Sequence, residues 1–548
     1  MIYIKNNEFN TYEPDIRPLI NSFYPGVQIE YTECDTDLFF DIDEICSNIE
    51  RSEDRFYDKS AVKKAVYEYL VDYTGRELPW GTLTGIRPVR IAEKYEAEFI
   101  DTDKMVSAAD SDYTNAEPYT EEKNKYNSTA EVCGALKDKY SSLRMLRGLL
   151  KKDFLITDEK LDLLLDIYGR EKNVLSQIDY KNGYSIYIGI PFCPTRCVYC
   201  SFTAYPYHLW ENRAEEYIEK LGEELADIVK MNSNPAACEL LGAQDINASK
   251  TSQSEDVNAS KMHHKGNILC GKELQTIYIG GGTPSVLSAE LIEKLMQTIE
   301  KYVDISKLAE FTFEAGRPDT ITREKLEVLR RHNVTRISIN PQTMCQKTLD
   351  LIGRKHTVEQ IKETFKLARE LGFDNINMDV IAGLPGENLD DFKYTLSEIA
   401  KLNPDNLTVH TLAVKRASRL NTEGNAWGGM DREGLDKEGA EEVLRMTELG
   451  AEYADKNGLN PYYIYRQKNM AGNLENIGYA KPGKENLYNI LMMEEKHSVI
   501  SCGAGSSTKR VNPDKSVERC ENVKDIASYL DRTGEMLERK RNLLTVNN

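Results

Sequence analysis

From Tyr184 onward the sequence predicts an α/β fold, an open partial barrel of six βα units around a parallel sheet. Two observations carry this reading. Short β-rich runs alternate with amphipathic helical segments, and the units number six rather than eight. The strands read Ile186–Ile190, Thr276–Ile279, Glu310–Glu314, Arg336–Ile339, Ile376–Ile381 and Leu407–Thr411. Between them, helices read Ala214–Lys230, Ala289–Lys301, Arg323–His332, Val358–Leu371 and Leu389–Leu402. Such alternation requires right-handed crossovers, and six units leave the barrel open. Ligands of such folds sit at the C-terminal ends of the strands.

The flanks have a different texture. With 548 residues and about 150 per domain, two to four domains are expected. Residues 1–180 read as a mixed α/β domain, with strand-like runs at Met1–Lys5, Val27–Thr32 and Leu38–Ile42 and a helix over Ser60–Tyr73. Asp101–Asn127 reads as a long loop, and Leu161–Ile167 belongs to a helix entering the barrel domain, 181–420. Within that domain, 232–272 is polar and repeats Asn-Ala-Ser-Lys at 247 and 258, as a disordered insertion does. His263-His264 inside it reads as a solvated pair. Residues 421–548 carry an aromatic strand, Pro461–Tyr465, a Gly/Ser turn at Ser501–Ser507 and a basic helical end, and read as a C-terminal cap over the barrel mouth.

Composition narrows the function. The formal charge of −19 argues against a nucleic-acid partner, since phosphate neutralisation needs an excess of Lys and Arg. No run approaches the ~20 apolar residues of a membrane span, and the N-terminus lacks the marks of an export signal. Eleven cysteines in such a chain point to the reducing cytoplasm, where free thiols and metal ligands are expected rather than disulfides.

Only three cysteines are tightly spaced. Cys193, Cys197 and Cys200 form a C-x3-C-x2-C pattern directly after a strand, with Pro191 and Pro194 suiting an irregular loop. Thiolates are the usual ligands of iron–sulfur clusters, normally four per cubane. Three would leave one iron open for chemistry. Inert buried thiols or a zinc site are the competing readings, but structural zinc takes four ligands, often as two C-x2-C pairs, and no second pair is present.

This triplet resembles that of the radical S-adenosylmethionine superfamily. Tyr187-x-x-Ile190-Pro191-Phe192-Cys193 resembles the oxygen-independent coproporphyrinogen III dehydrogenases. Leu78-Pro79-Trp80-Gly81-Thr82-Leu83-Thr84-Gly85-Ile86-Arg87-Pro88 and Tyr463-Ile464-Tyr465-Arg466-Gln467-Lys468-Asn469-Met470 look like the HemZ-type branch. The resemblance implies a [4Fe–4S] cluster on the three cysteines and S-adenosylmethionine as cofactor. Gly281, Gly282 and Thr283, in a Gly-Gly-Gly-Thr-Pro turn after the second strand, would hold its amino group. Glu314, Gln342, Arg354 and Asp379, near successive strand ends, would take its ribose, carboxylate and adenine. Tyr187, Tyr199, Ala413 and Ser507 match further cofactor contacts.

The implied reaction begins with one-electron cleavage of S-adenosylmethionine. The radical takes hydrogen from a propionate of coproporphyrinogen III, and loss of CO2 and an electron leaves a vinyl group. Partners would be this small-molecule tetrapyrrole and an electron donor such as flavodoxin or ferredoxin. Arg87, Lys415, Arg416, Arg419 and Arg466 are candidate propionate anchors. Two positions depart from the enterobacterial-type pattern: Phe202 replaces a further cysteine, and Gly189 a histidine. A haem-delivering chaperone of the same superfamily is one rival reading, and a radical enzyme acting on an unrelated substrate is another. Such chaperones carry His-Asn-x-x-Tyr-Trp, whereas Lys468-Asn469-Met470 lacks the histidine.

Overall fold

The six strands expected of the barrel are apolar along most of their length because a parallel sheet is covered on both faces. In the computed structural model they run Gly183–Ile190 (β1), Glu273–Gly281 (β2), Glu310–Gly316 (β3), Arg336–Ile339 (β4), Ile376–Ala382 (β5) and Asn406–Thr411 (β6). The structure describes residues 2–5, 9–24, 27–31, 39–49, 58–85, 87–99, 143–200, 204–232, 265–413, 437–466 and 474–547. The expected loop 101–127, His263-His264 and most of the 232–272 insertion lie outside the described residues.

Helices Ala214–Asn232 (α1), Ala289–Glu300 (α2), Arg323–Arg331 (α3), Val358–Glu370 (α4), Leu389–Leu402 (α5) and Lys437–Lys456 (α6) complete the units. Side-chain caps start them: Ser288 and Thr322 cap α2 and α3, and capping boxes at Thr357/Gln360 and Asn388/Asp391 start α4 and α5.

The C-terminal stretch extends the same sheet. Strands Asn460–Tyr465 (β7), Asn476–Ala480 (β8), Ser498–Cys502 (β9), Ser507–Val511 (β10) and Val517–Glu521 (β11) give the order β7-β8-β6-β5-β4-β3-β2-β1-β9-β10-β11. The two ends of that order do not pair, so the barrel stays open. β9 lies parallel beside β1, a seventh parallel strand that the alternation did not reveal. It is remote from β1 in sequence, and only long-range pairing places it there.

Residues from Ile2 to Leu78 form a core of their own around a three-stranded parallel sheet. Trp80, Leu83, Val89 and Ala92, which follow, belong to the main core instead. No described helix is long and apolar enough to cross a membrane. Seven described cysteines form no disulfide, but Cys270 is disulfide-bonded, against the expectation of thiols and metal ligands rather than disulfides.

Two buried polar groups hold the seam between β1 and the C-terminal strands. Gly503, just after β9, has φ +100°, and a Cβ there would come within 2.3 Å of the Gly189 carbonyl, so only glycine fits. Its N–H donates to Glu224 of α1 at 2.7 Å. The fully buried Glu224 carboxylate also accepts from Asn522 (2.9 Å), Tyr529 (2.7 Å) and the Lys540 ammonium. Removing one partner of a buried ion pair strands the other charge. Glu224→Ala is therefore expected to cost about 3–5 kcal/mol in urea unfolding. Adding Lys540→Met should recover part of that loss, because the stranded ammonium is gone.

His497, just before β9, shares a hydrogen bond with Ser185 Oγ at 2.7 Å, and Ser185 Oγ with Thr276 Oγ1 at 2.6 Å. Burial, reinforced by Lys272, pushes its imidazole down to about 3. The unfolded chain then binds a proton that the native state refuses, so stability is full above the ordinary imidazole value of about 6.5 and is lost as pH falls below it. The expected loss between pH 7.5 and 5.5 is about 1.4 kcal/mol. Unfolding midpoints at the two pH values should show it, and His497→Gln should flatten the dependence.

Candidate functional site

The loop after β1 is fastened to the end of β2. Gly282 N–H donates to Ile190 O and Thr283 N–H to Phe192 O, both at 2.7 Å. A Cβ at Gly282 would stand 2.5 Å from Phe192 O, so the approach is open only to glycine. On its other side the loop meets the turn that ends the short helix Gln346–Leu351: Val198 N–H donates to Ile352 O at 3.2 Å and Thr195 Oγ1 to Gly353 O at 3.3 Å. Arg317, paired with Asp319, donates to Thr195 Oγ1 at 2.6 Å.

These contacts turn Cys193, Cys197 and Cys200 onto one cavity of about 520 Å³ that runs from the C-terminal ends of the strands into the barrel as far as Arg336, the first residue of β4. That is the size of a small-molecule site. Cys193 Sγ lies 3.4 Å from Thr283 Oγ1, and burial pushes its thiol up to about 11. A metal reverses that preference by stabilising the thiolate. Among the described residues, no three His, Cys, Asp or Glu side chains gather round a single-ion point. A cubane does not need that, because its thiolates bind separate irons. Three thiols on one irregular loop facing one cavity thus fit a cluster better than a zinc ion.

The rest of the wall is polar where the strands end. Glu314 accepts from Tyr278 Oη at 2.5 Å and from Gly281 N–H at 3.3 Å. Burial, with Asp379 adding to it against the Tyr278 bond, raises its carboxyl above the usual range. Asp379 is equally buried, but His410, with Nε2 3.7 Å away, and Asn377, bonded at 2.7 Å, outweigh burial and lower it. Gln342 has φ +68°, a conformation costly for a non-glycine residue, and bridges to β5. Arg354 reaches Asn340 O at 2.5 Å and Tyr199 Oη at 3.2 Å. Ser338 Oγ, Asn340 Oδ1, Gln342 Oε1, Arg336 Nε and Arg354 Nε are buried without hydrogen-bond partners among the described residues, and all five residues line the cavity. Buried polar atoms left unpaired are costly, and a polar ligand would satisfy them.

Known proteins resemble this chain in sequence. The sequence profile of the radical SAM superfamily matches residues 268–399, from the approach to β2 through most of α5. The oxygen-independent coproporphyrinogen-III oxidase-like protein HemZ of Bacillus subtilis is 36% identical over 477 residues, 86% of this chain and 78% of that one. The chain belongs to the HemZ-type family of radical SAM proteins. The heme chaperone HemW of Bacillus subtilis is 28% identical over 338 residues, 60% of this chain and 74% of that protein. Among solved structures, the coproporphyrinogen III oxidase HemN of Escherichia coli matches 65% of this chain and 70% of its own, at 18% identity and a TM-score of 0.44.

Tyr187, Tyr199, Gly281, Gly282, Thr283, Glu314, Gln342, Arg354, Asp379 and Ala413 all line the cavity with the cysteines in this HemZ-type chain. Ser507 does not. It begins β10, which β9 separates from β1, and so it stands outside the cavity lining. Two expected anchors have partners within the chain: Arg87 shares the Glu495 carboxylate with Arg90 and Arg519, and Arg466 donates to Leu83 O and stacks over Trp80. Lys415, Arg416 and Arg419 lie outside the described residues, as do Phe202 and Lys468-Asn469-Met470.

Several lining residues escaped the sequence reading. Tyr278 and Tyr488 stack with centroids 4.6 Å apart, and Tyr187 stacks beside both. His410 contacts Tyr465 Oη at 3.3 Å. Strand alternation held a signal for some of them: Thr408 and His410 share one face of β6, as Tyr463 and Tyr465 share one of β7. Tyr488 and Met492 belong to the short helix Leu487–Met493, and no local pattern marks them.

Trp80 of the Leu78–Pro88 motif buttresses this wall. Trp80 Nε1 donates to the buried Glu475 at 2.8 Å, and Lys160 pairs with the same carboxylate. Thr411 donates to Glu475 O at 2.9 Å through Oγ1 and to Asn476 Oδ1 at 2.8 Å through its N–H. Trp80→Phe keeps the ring but strands a buried acceptor, and is expected to cost about 1–3 kcal/mol in chemical unfolding.

Proposed function

We propose that this chain is a radical S-adenosylmethionine enzyme that oxidatively decarboxylates coproporphyrinogen III to protoporphyrinogen IX in haem biosynthesis. The observation that carries the reading is the convergence of three thiols and five unpartnered polar atoms on one cavity, in a chain 36% identical to a coproporphyrinogen-III oxidase-like protein. Cys193, Cys197 and Cys200 would hold the [4Fe–4S] cluster. The cluster and S-adenosylmethionine, when bound, supply the one-electron chemistry that removes hydrogen from a propionate arm.

The chain's own residues bind and orient. Gly281, Gly282 and Thr283 meet the amino group of S-adenosylmethionine, while Glu314, Gln342, Arg354 and Asp379 take its carboxylate, ribose and adenine. Arg354 is suited to this because Asn340 O and Tyr199 hold its guanidinium in place. The stacked rings of Tyr187, Tyr278 and Tyr488 exclude water from one side, which guards a radical against quenching. An external donor such as flavodoxin or ferredoxin would supply the electron.

The heme chaperones among the relatives favour a second reading, haem delivery without turnover. One experiment separates the two. The protein is reconstituted anaerobically and given reductant, S-adenosylmethionine and coproporphyrinogen III. The enzyme reading expects 5′-deoxyadenosine and protoporphyrin together. Deoxyadenosine without porphyrin product overturns the substrate assignment, and stoichiometric haem binding without turnover establishes the chaperone. Replacing all three cysteines by Ala should abolish the cluster's visible absorbance, and a spectrum that survives overturns the ligand assignment.

A further inference from the structure

β10 and β11 place Lys509 directly opposite Arg519. Like charges facing each other across an antiparallel pair weaken it, so strand pairing alone gives no reason for this choice. Arg87 brings a third cation from the N-terminal part of the chain. It bonds Glu495 Oε1 at 2.5 Å, Arg519 bonds the same oxygen at 3.0 Å, and Arg90 takes the other. One buried carboxylate is thus shared by three guanidinium groups. Glu494, which also faces Arg87 and Arg90, compensates poorly, because burial raises its carboxyl to about 7.

Lys509 has no carboxylate bonded to it among the described residues. Its Nζ donates instead to Met492 Sδ at 3.3 Å, a weak acceptor. Burial, with Arg87 and Arg519 repelling it and Glu495 opposing them, pushes the ammonium down to about 8, so it is still mostly charged at neutral pH. Met492 is itself a wall of the cavity. One unbranched thioether, free to change rotamer, therefore stands between this ammonium and the ligand space.

We propose that Lys509, flanked by Arg87 and Arg519, is a carboxylate-binding site at the edge of the cavity and takes a propionate of the tetrapyrrole other than the one that reacts. The inference rests on the tetrapyrrole reading above. An under-neutralised group of cations selects an anion, and charge-assisted hydrogen bonds to a carboxylate are the strongest contacts such groups make. The tetrapyrrole supplies carboxylates on flexible arms that can pass a displaced methionine. It also resolves how an acidic chain can grip a polyanionic substrate: locally, with cations drawn from separate parts of the chain.

The test is fluorescence titration of the full chain with coproporphyrin III, the stable oxidised form carrying the same side chains, and with its tetramethyl ester. Lys509→Gln is expected to weaken the free acid about tenfold and leave the ester unchanged, and Lys509→Arg to restore most of the loss. Equal affinity of wild type and Lys509→Gln for the free acid overturns the site while leaving the tetrapyrrole reading intact. Equal losses for acid and ester overturn it as well, since they report disturbed packing at Met492. A wild-type protein that binds neither compound overturns the tetrapyrrole reading and this inference with it. Should Lys509→Gln fail to fold by circular dichroism, Arg519→Gln, whose side chain is 47% exposed, must show the same acid-selective loss.

Discussion

Glu224 carries a charge into a place without water, and four donors from separate parts of the chain meet it there. They are the Gly503 N–H, Asn522, Tyr529 and Lys540. An isolated buried carboxylate would be prohibitively costly, so the helix that bears it and the segments that satisfy it must assemble together. Tyr217, from the same helix, adds a second tie: it donates to Gly189 O and accepts from Ala504 N–H, each at 2.8 Å. The result is β9 locked beside β1. Tyr187 and the cysteine loop inherit their positions from that pairing.

An open barrel leaves its strand ends unsealed, and here that opening is filled with polar groups held in place but not all satisfied. Arg354 is held by a carbonyl and a tyrosine, and Gln342 by backbone bonds to β5 that keep it at positive φ. Acid pairs are biased in opposite directions, Glu314 towards its neutral form and Asp379 towards its charged one. Cost stored in unpaired polar atoms is repaid when a ligand supplies the partners, which is how a rigid site gains affinity without rearranging.

The N-terminal part of the chain reaches this site by two routes. Through Trp80 and Glu475 it steadies the β6–β8 side of the wall, where Thr411 and Asn476 stand. Through Arg87 and Glu495 it reaches β10 and β11 beyond β9. A segment that reads as a separate domain at its beginning thus joins the barrel's own core at Trp80, Leu83, Val89 and Ala92.

The sequence by itself determined the six βα units, the cysteine triplet and the strand-end positions from Gly281 to Asp379. Each is written in local signals: periodicity, caps, and polar residues closing apolar runs. Relations between distant segments were not written there. The parallel seventh strand Ser498–Cys502, the stacking of Tyr488 on Tyr278 and the facing of Lys509 and Arg519 follow from pairings across the sheet. Tertiary structure also decided how charges are placed, gathering Arg87, Arg90 and Arg519 on one carboxylate and setting Lys509 against a thioether. It removed Ser507 from the cavity by placing a strand between. Spacing along the chain carries information about neighbours within a turn or a strand, whereas a binding cavity is made by residues whose nearness exists only after folding.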